Sequence, residues 1–166
     1  MKRDHVDIIQ SQWERERPDL DSTPMGIFGR ISRISRYLDI QLQENYAKFN
    51  LNAGEFDVLA ALRRAGKPFQ LTPTELFNSL MLSSGAMTNR LDRLEVAGLI
   101  ERRPNLDDRR GTLVTLTNEG SDLIDKIYPL HLQFENKLLS SLSPQDRSTL
   151  LPLLRKLLIS FEEQKD

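Results

Sequence analysis

Between Ser83 and Arg93 the chain concentrates small and polar side chains: Ser83, Ser84, Gly85, Thr88, Asn89, Arg90 and Arg93. Their shared chemistry is hydrogen bonding. An asparagine amide can pair with adenine, an arginine can fork onto guanine, and hydroxyls and a glycine permit close approach to a major groove. Further along, Asp108, Arg109 and Arg110 stand together in a polar stretch. There the Asp108 carboxylate can hold the Arg110 guanidinium extended toward a narrow minor groove, whose negative potential favours arginine, while Arg109 can reach phosphate. Catalysis and metal binding have no comparable residues. Cysteine is absent, which removes thiolate zinc sites, cysteine nucleophiles and disulfides. The two histidines, His5 and His131, are too few for a metal site, and His131 falls at core spacing. Nothing resembles a nucleophile elbow, a P-loop or a dinucleotide fingerprint. Neither an enzyme nor a cofactor is expected.

Positioning these groups requires short elements. Ser83 can cap a helix with Met87, Leu91 and Leu94 inside and Gly98 as its stop, which leaves the polar groups mainly on other faces. Leu99–Arg103 and Thr112–Leu116 read as strands bracketing the polar segment Pro104–Gly111, so Asp108 to Arg110 sit at a hairpin tip. Upstream, Thr72, Pro73 and Glu75 supply an N-cap, a first-turn proline and a capping glutamate for a helix from Pro73 to about Leu80. Asn52 and Glu55 form the reciprocal cap of another helix bearing Phe56, Leu59 and Leu62, stopped by Gly66 and Pro68. Short helices followed by a hairpin with a basic tip make a winged helix-turn-helix.

Longer helices flank this middle. Ile27, Ile31, Ile34, Leu38, Leu42, Tyr46 and Phe49 recur every three or four positions, an amphipathic helix from Met25 to Phe49. Thr117 can cap a helix carrying Leu123, Ile124, Ile127, His131, Phe134 and Leu138, with a bend expected at Pro129. Ser143, Pro144 and Asp146 open a last one, with Leu150, Leu154, Leu157, Leu158 and Phe161. Residues 6–16 can add an N-terminal helix holding the single tryptophan, Trp13. The fold class is therefore mainly α with a small β-hairpin wing. Residues 1–50 form an N-terminal extension and dimerisation helix, 51–116 the winged domain, and 117–166 the C-terminal dimerisation helices. The terminal helices present more apolar surface than the winged domain can cover, and large apolar patches mark interfaces, so a homodimer is the simplest cover.

The length, 166 residues, suits one domain with appended helices. A net charge of −1 argues by itself against a nucleic-acid partner. Six arginines from Arg90 to Arg110 are offset by five acids. Any positive surface must then come from segregating charge by face, with Arg90, Arg93, Arg109 and Arg110 outward and acids such as Asp108 orienting them. No apolar run approaches a membrane span, and Met1–Gln10 is charged, unlike a secretory signal, so a cytoplasmic protein with no membrane partner is expected.

The segment LMLSSGAMTNRLDRLEVAG (Leu80–Gly98), followed by LIERRPNLDDRRGTLVTLTNEG, resembles the recognition helix, wing and return helix of the MarR family of bacterial transcriptional regulators. The likeness extends to LNAGEFDVLAAL and LTPTEL, covering Leu51 to Gly120. It implies a homodimer whose terminal helices interlock and whose two winged domains read a pseudo-palindromic double-stranded DNA operator, with half-sites about one helical turn apart. It also implies a repressor released by a small aromatic or phenolic anion. Pro73, Thr88 and Arg102 match the family's anion pocket, where Arg102 is the charge partner for a carboxylate or enolate.

The extension with Trp13 resembles the family's urate-responsive branch. In that branch a tryptophan and an arginine at the Arg102 position hold the ligand, and an acid at the Asp57 position with an arginine matching Arg90 transmits binding. Urate and other phenolic ligands both stay open. The alternative function is a winged-helix module for protein partners, without DNA binding. It would place apolar residues on the exposed recognition face, where Ser84, Thr88, Asn89 and Arg93 are polar.

Overall fold

A computed structural model of the chain describes residues 2–80, 87–105 and 111–165; Ser83, Ser84 and Gly85, with Asp108, Arg109 and Arg110, lie outside the described residues. Seven helices appear among them: α1 His5–Glu16, α2 Thr23–Ala47, α3 Ala53–Arg64, α4 Pro73–Ser79, α5 Met87–Val96, α6 Asn118–Leu138 and α7 Pro144–Glu162, with a 3-10 turn at Glu163–Lys165. Local capping chemistry starts four of them. Asp4, Asn52, Thr72 and Ser143 each accept the backbone N–H three residues on, while Asp7, Glu55, Glu75 and Asp146 accept the N–H of the cap. Thr117 caps α6 by accepting the Gly120 N–H, and α6 continues as one helix across Pro129. None of the described helices is long and apolar enough to cross a membrane.

Three strands form one antiparallel sheet in the order β1-β3-β2: β1 Gln70–Leu71, β2 Ile100–Pro104 and β3 Thr112–Leu116. Ile100 faces Leu116, and Arg102 faces Val114. The wing hairpin is as expected, but β1 is an addition that the sequence reading lacks. A two-residue strand carries no measurable period. Its place is set by the turn before it, where Phe69 takes φ 60° and accepts the Leu116 N–H at 3.1 Å.

Helix α3 is the centre of the core. Its Val58, Leu59 and Leu62 are buried with Leu76 of α4, Leu91 and Leu94 of α5, Ile100 and Val114 of the sheet, and Ile124 and Ile127 of α6. Below it, α2 and α6 are joined to α3 by a buried ring cluster. Tyr46 stacks on Phe56 at 4.4 Å between centroids and shares a 3.2 Å hydrogen bond with His131 Nδ1. Burial first, then the charges of Glu135 and Asp57, push the Tyr46 phenol well above its usual value, so it stays neutral. His131 is thus a core residue, as its spacing predicts.

Helix α7 differs: none of its described residues is buried, and Leu150, Leu151, Leu153, Leu154, Leu158 and Phe161 are all exposed. One side of α2 is equally bare at Ile27, Phe28, Ile31, Ile34 and Leu38. The two helices touch where the Phe28 and Phe161 rings meet edge to face at 6.3 Å.

Helix α1 docks on the start of α2 through two glycines. Val6 is buried against Gly29, and the Gln10 side chain lies across Gly26, where a Cβ would stand 2.7 Å from its amide carbon. Arg30 then ties α1 down through Asp4 at 2.9 Å and Asp7 at 2.5 Å. The Asp7 N–H first, then Arg30, hold the Asp4 carboxyl below its usual value. A depressed folded value means that Asp4 contributes stability above the usual aspartate range and loses it as pH falls through the folded value. Acid below the usual aspartate range is therefore expected to loosen the start of α1. The emission of the single tryptophan, on α1, reads this directly; Asp4→Asn should make it loose at neutral pH, and an unchanged signal in that variant would show that the cap does not hold α1.

Candidate nucleic-acid interface

Helix α5 carries the candidate recognition residues, and its charges are sorted by neighbour. Thr88 and Asn89 are exposed. Arg90 is half-buried, and its guanidinium lies over Gly54 in the first turn of α3, in the space a Cβ would need. Arg93 Nε stands 2.8 Å from Oε1 of the buried Glu55. Both arginines that the sequence analysis directs outward therefore also reach back to the start of α3. The physical reason is Glu55: its Oε2 accepts the Asn52 N–H at 2.8 Å, which fixes a buried anion beside α5. Arg93 keeps 63% of its side chain exposed, so its outer edge still faces solvent. Asn89, Arg90 and Arg93 share a cleft of about 330 Å³ with Gln43, Asn52 and Gly54.

The acids of α5 turn to the other side. Asp92 takes Arg102 Nη2 at 2.5 Å; Glu95 Oε2 is 3.6 Å from Arg102 Nε, and its Oε1 accepts the Arg102 N–H at 3.1 Å. Arg103 pairs with Glu101 at 2.5 Å on the same strand. Charge is thus segregated across the helix, with Asp92 and Glu95 neutralised against β2. Sequence reasoning missed these partners, because nothing in the spacing of Asp92, Glu95 and Arg102 marks a contact between a helix and the following strand.

The candidate effector residues are spread over five elements. Trp13 is half-exposed on α1. Asp57 is buried on α3, with Arg64 Nη1 3.9 Å away, and Arg64 also donates to the Ser79 carbonyl. Pro73 opens α4 and is exposed, Thr88 lies in the first turn of α5, and Arg102 is held on β2 by the α5 acids. None of these five lines the cleft beside Arg90, the cavity between α5 and α6, or the hollow along α1 at Arg3 and Glu14.

Comparison with known proteins agrees with this fold. Residues 51–112 match the model of the MarR family. The HTH-type transcriptional regulator PecS of Dickeya dadantii (strain 3937) is 43% identical over 148 residues, 89% of each chain. Among solved structures, a MarR mutant from Escherichia coli complexed with operator DNA is similar with a TM-score of 0.71 at 30% identity, covering 88% of this chain and 97% of that one. Bordetella bronchiseptica BpsR, solved in a study of its regulation by 6-hydroxynicotinic acid, is similar with a TM-score of 0.67 at 26% identity, over 78% of this chain and 91% of that one.

Proposed function

Because this chain belongs to the MarR family of DNA-binding, non-enzymatic transcriptional regulators, we propose that it acts as a homodimeric repressor that grips a pseudo-palindromic operator and is released by a small aromatic or phenolic anion. The observation that carries DNA recognition is the sorting of charge around α5, with Thr88 and Asn89 exposed and the acids paired to Arg102. Ser83, Ser84, Gly85, Thr88, Asn89, Arg90 and Arg93 would enter the major groove, and the wing arginines would take the minor groove and phosphate. The domain reading is 51–116 for DNA, with 1–50 and 117–166 pairing two copies through the bare faces of α2 and α7.

The anion would bind by competition. Arg102 is held by Asp92 and Glu95, so a carboxylate or enolate taking its guanidinium loosens α5 from β2. A coupling of about 1–3 kcal/mol relieves operator binding roughly 5- to 150-fold. Pro73 and Thr88 would border the ligand. A planar anion of the urate kind, served by Trp13, Asp57, Arg90 and Arg102, is one form of this reading, and the 6-hydroxynicotinic acid of BpsR supports an aromatic acid in general.

A mobility shift on the protein's own promoter region tests the whole reading, with aromatic anions titrated into the complex. Arg110→Ala is expected to weaken binding strongly and to flatten the salt dependence, since a cation in the minor groove also releases condensed counterions, each neutralised phosphate contributing about −0.9 to the log-log slope. Wild-type binding by that variant would remove the wing from the interface. Binding that no aromatic anion relieves would remove the effector.

A further inference from the structure

A cavity of about 330 Å³ opens where the C-terminal half of α5 meets the α2–α3 junction and the start of α6. Its walls are Leu51, Leu94, Leu99 and Leu123, with Ala97 beside them and Glu55 and Arg93 as its charged groups. Such a volume, lined by apolar side chains with few polar groups, is at the small end for ligand sites.

The polar end is unevenly satisfied. Glu55 has 3% of its side chain exposed. Its Oε2 is occupied by the Asn52 N–H, but Oε1 accepts no hydrogen bond among the described residues. Arg93 Nε is 2.8 Å away without its N–H aimed along that line, so the contact is an ion pair that leaves the acceptor unused. A well-solvated arginine is a weak tether. A buried carboxylate with an unused acceptor gains most from a charged donor that points at it. An anionic ligand on Arg93 would instead bring a second negative charge against Glu55.

Glu55 and Asp57 are two residues apart on α3, about 200° around the helix, so the Glu55 carboxylate faces away from Asp57, and none of Trp13, Asp57, Pro73, Thr88 and Arg102 lines this cavity. We propose that it binds a small amphipathic amine. The ammonium sits on Glu55 Oε1 in place of Arg93, and the hydrocarbon body packs among Leu51, Leu94, Leu99 and Leu123. Because α5 and α6 form its walls, an occupant also bears on the seating of the recognition helix; that consequence alone rests on the function proposed above.

Calorimetric titration of the full-length protein with 2-phenylethylammonium, 2-phenylethanol and phenylacetate separates the charge states of one skeleton. The ammonium is expected to bind at least about tenfold more tightly than the alcohol, and phenylacetate most weakly. Glu55→Gln keeps an oxygen for the Asn52 N–H and should reduce the ammonium to the affinity of the alcohol. Arg93→Ala removes the competitor and should tighten the ammonium several-fold. Ala97→Leu fills the cavity and should weaken ammonium and alcohol alike. Should Glu55→Gln fail to fold, Arg93→Ala and Ala97→Leu decide the matter. Equal affinity for ammonium and alcohol, tighter binding of phenylacetate, or loss of the ammonium in Arg93→Ala overturns the site. Ammonium binding that leaves operator affinity unchanged upholds the site and removes only its link to DNA.

Discussion

Replacing both Leu151 and Leu158 with glutamate is expected to convert the protein from dimer to monomer in light scattering, and to lower operator affinity by about 10²- to 10⁴-fold. The two leucines stand seven residues apart on α7, on one helix face, and both are exposed in the single chain. Their burial can come only from another surface, which we assign to the bare face of α2 and α7 in a second copy. Each carboxylate placed there would have to be desolvated without a partner, at a cost far above what the lost leucine contacts contribute. One winged domain on its own then loses the effective concentration that a joined second domain supplies for the other half-site. The variant should keep its helical circular dichroism, because α7 contributes nothing to the core around α3. A dimer of wild-type stability would refute the assignment of this face.

The second large effect is expected at Gly120, in the first turn of α6. Its requirement is space: a Cβ there would fall onto the carbonyl oxygen of Leu99 and 2.9 Å from the carbonyl carbon. Backbone atoms cannot swing aside as a side chain can. That carbonyl also accepts the Thr117 N–H at 3.2 Å, and Thr117 Oγ1 both donates to the Gly98 carbonyl at 2.7 Å and accepts the Gly120 N–H at 3.0 Å. Gly120→Ala therefore pries α6 from the strand that leads into the wing. Overpacking of this kind costs about 1–3 kcal/mol, which for a chain of this size lowers Tm by about 2–12 °C. Operator binding should weaken with it, since α6 packs against α3 and the sheet and, in the function proposed above, carries the winged domain within the dimer. A Tm equal to wild type would show that the close approach relaxes without cost.

The middle of the chain is readable because its start signals are local. Asn52 with Glu55, Thr72 with Pro73 and Glu75, and Ser143 with Asp146 each announce a helix within four residues, and each cap forms as read. The stripes of α2 and α7 are readable for the same reason, and their exposure in one chain turns the expected self-association into a specific surface. Strand β1 was not readable: two residues have no period, and the turn that places them, with Phe69 at φ 60°, is joined to β3 by the Leu116 N–H, a contact between residues 47 positions apart.

Charge divides most clearly. The sequence alone determined the helices, the wing strands and the presence of balanced charge between Arg90 and Arg110, since caps and stripes act over a few residues. Only the tertiary structure decided which charges meet. It brings Glu55 to Arg93 from 38 positions away, and Asp92 and Glu95 to Arg102 across the turn at Gly98. Ion pairing follows distance in space, and packing around α3 sets that distance, so no spacing along the chain could have foretold that the acids of α5 face β2 while Thr88 and Asn89 stay in solvent.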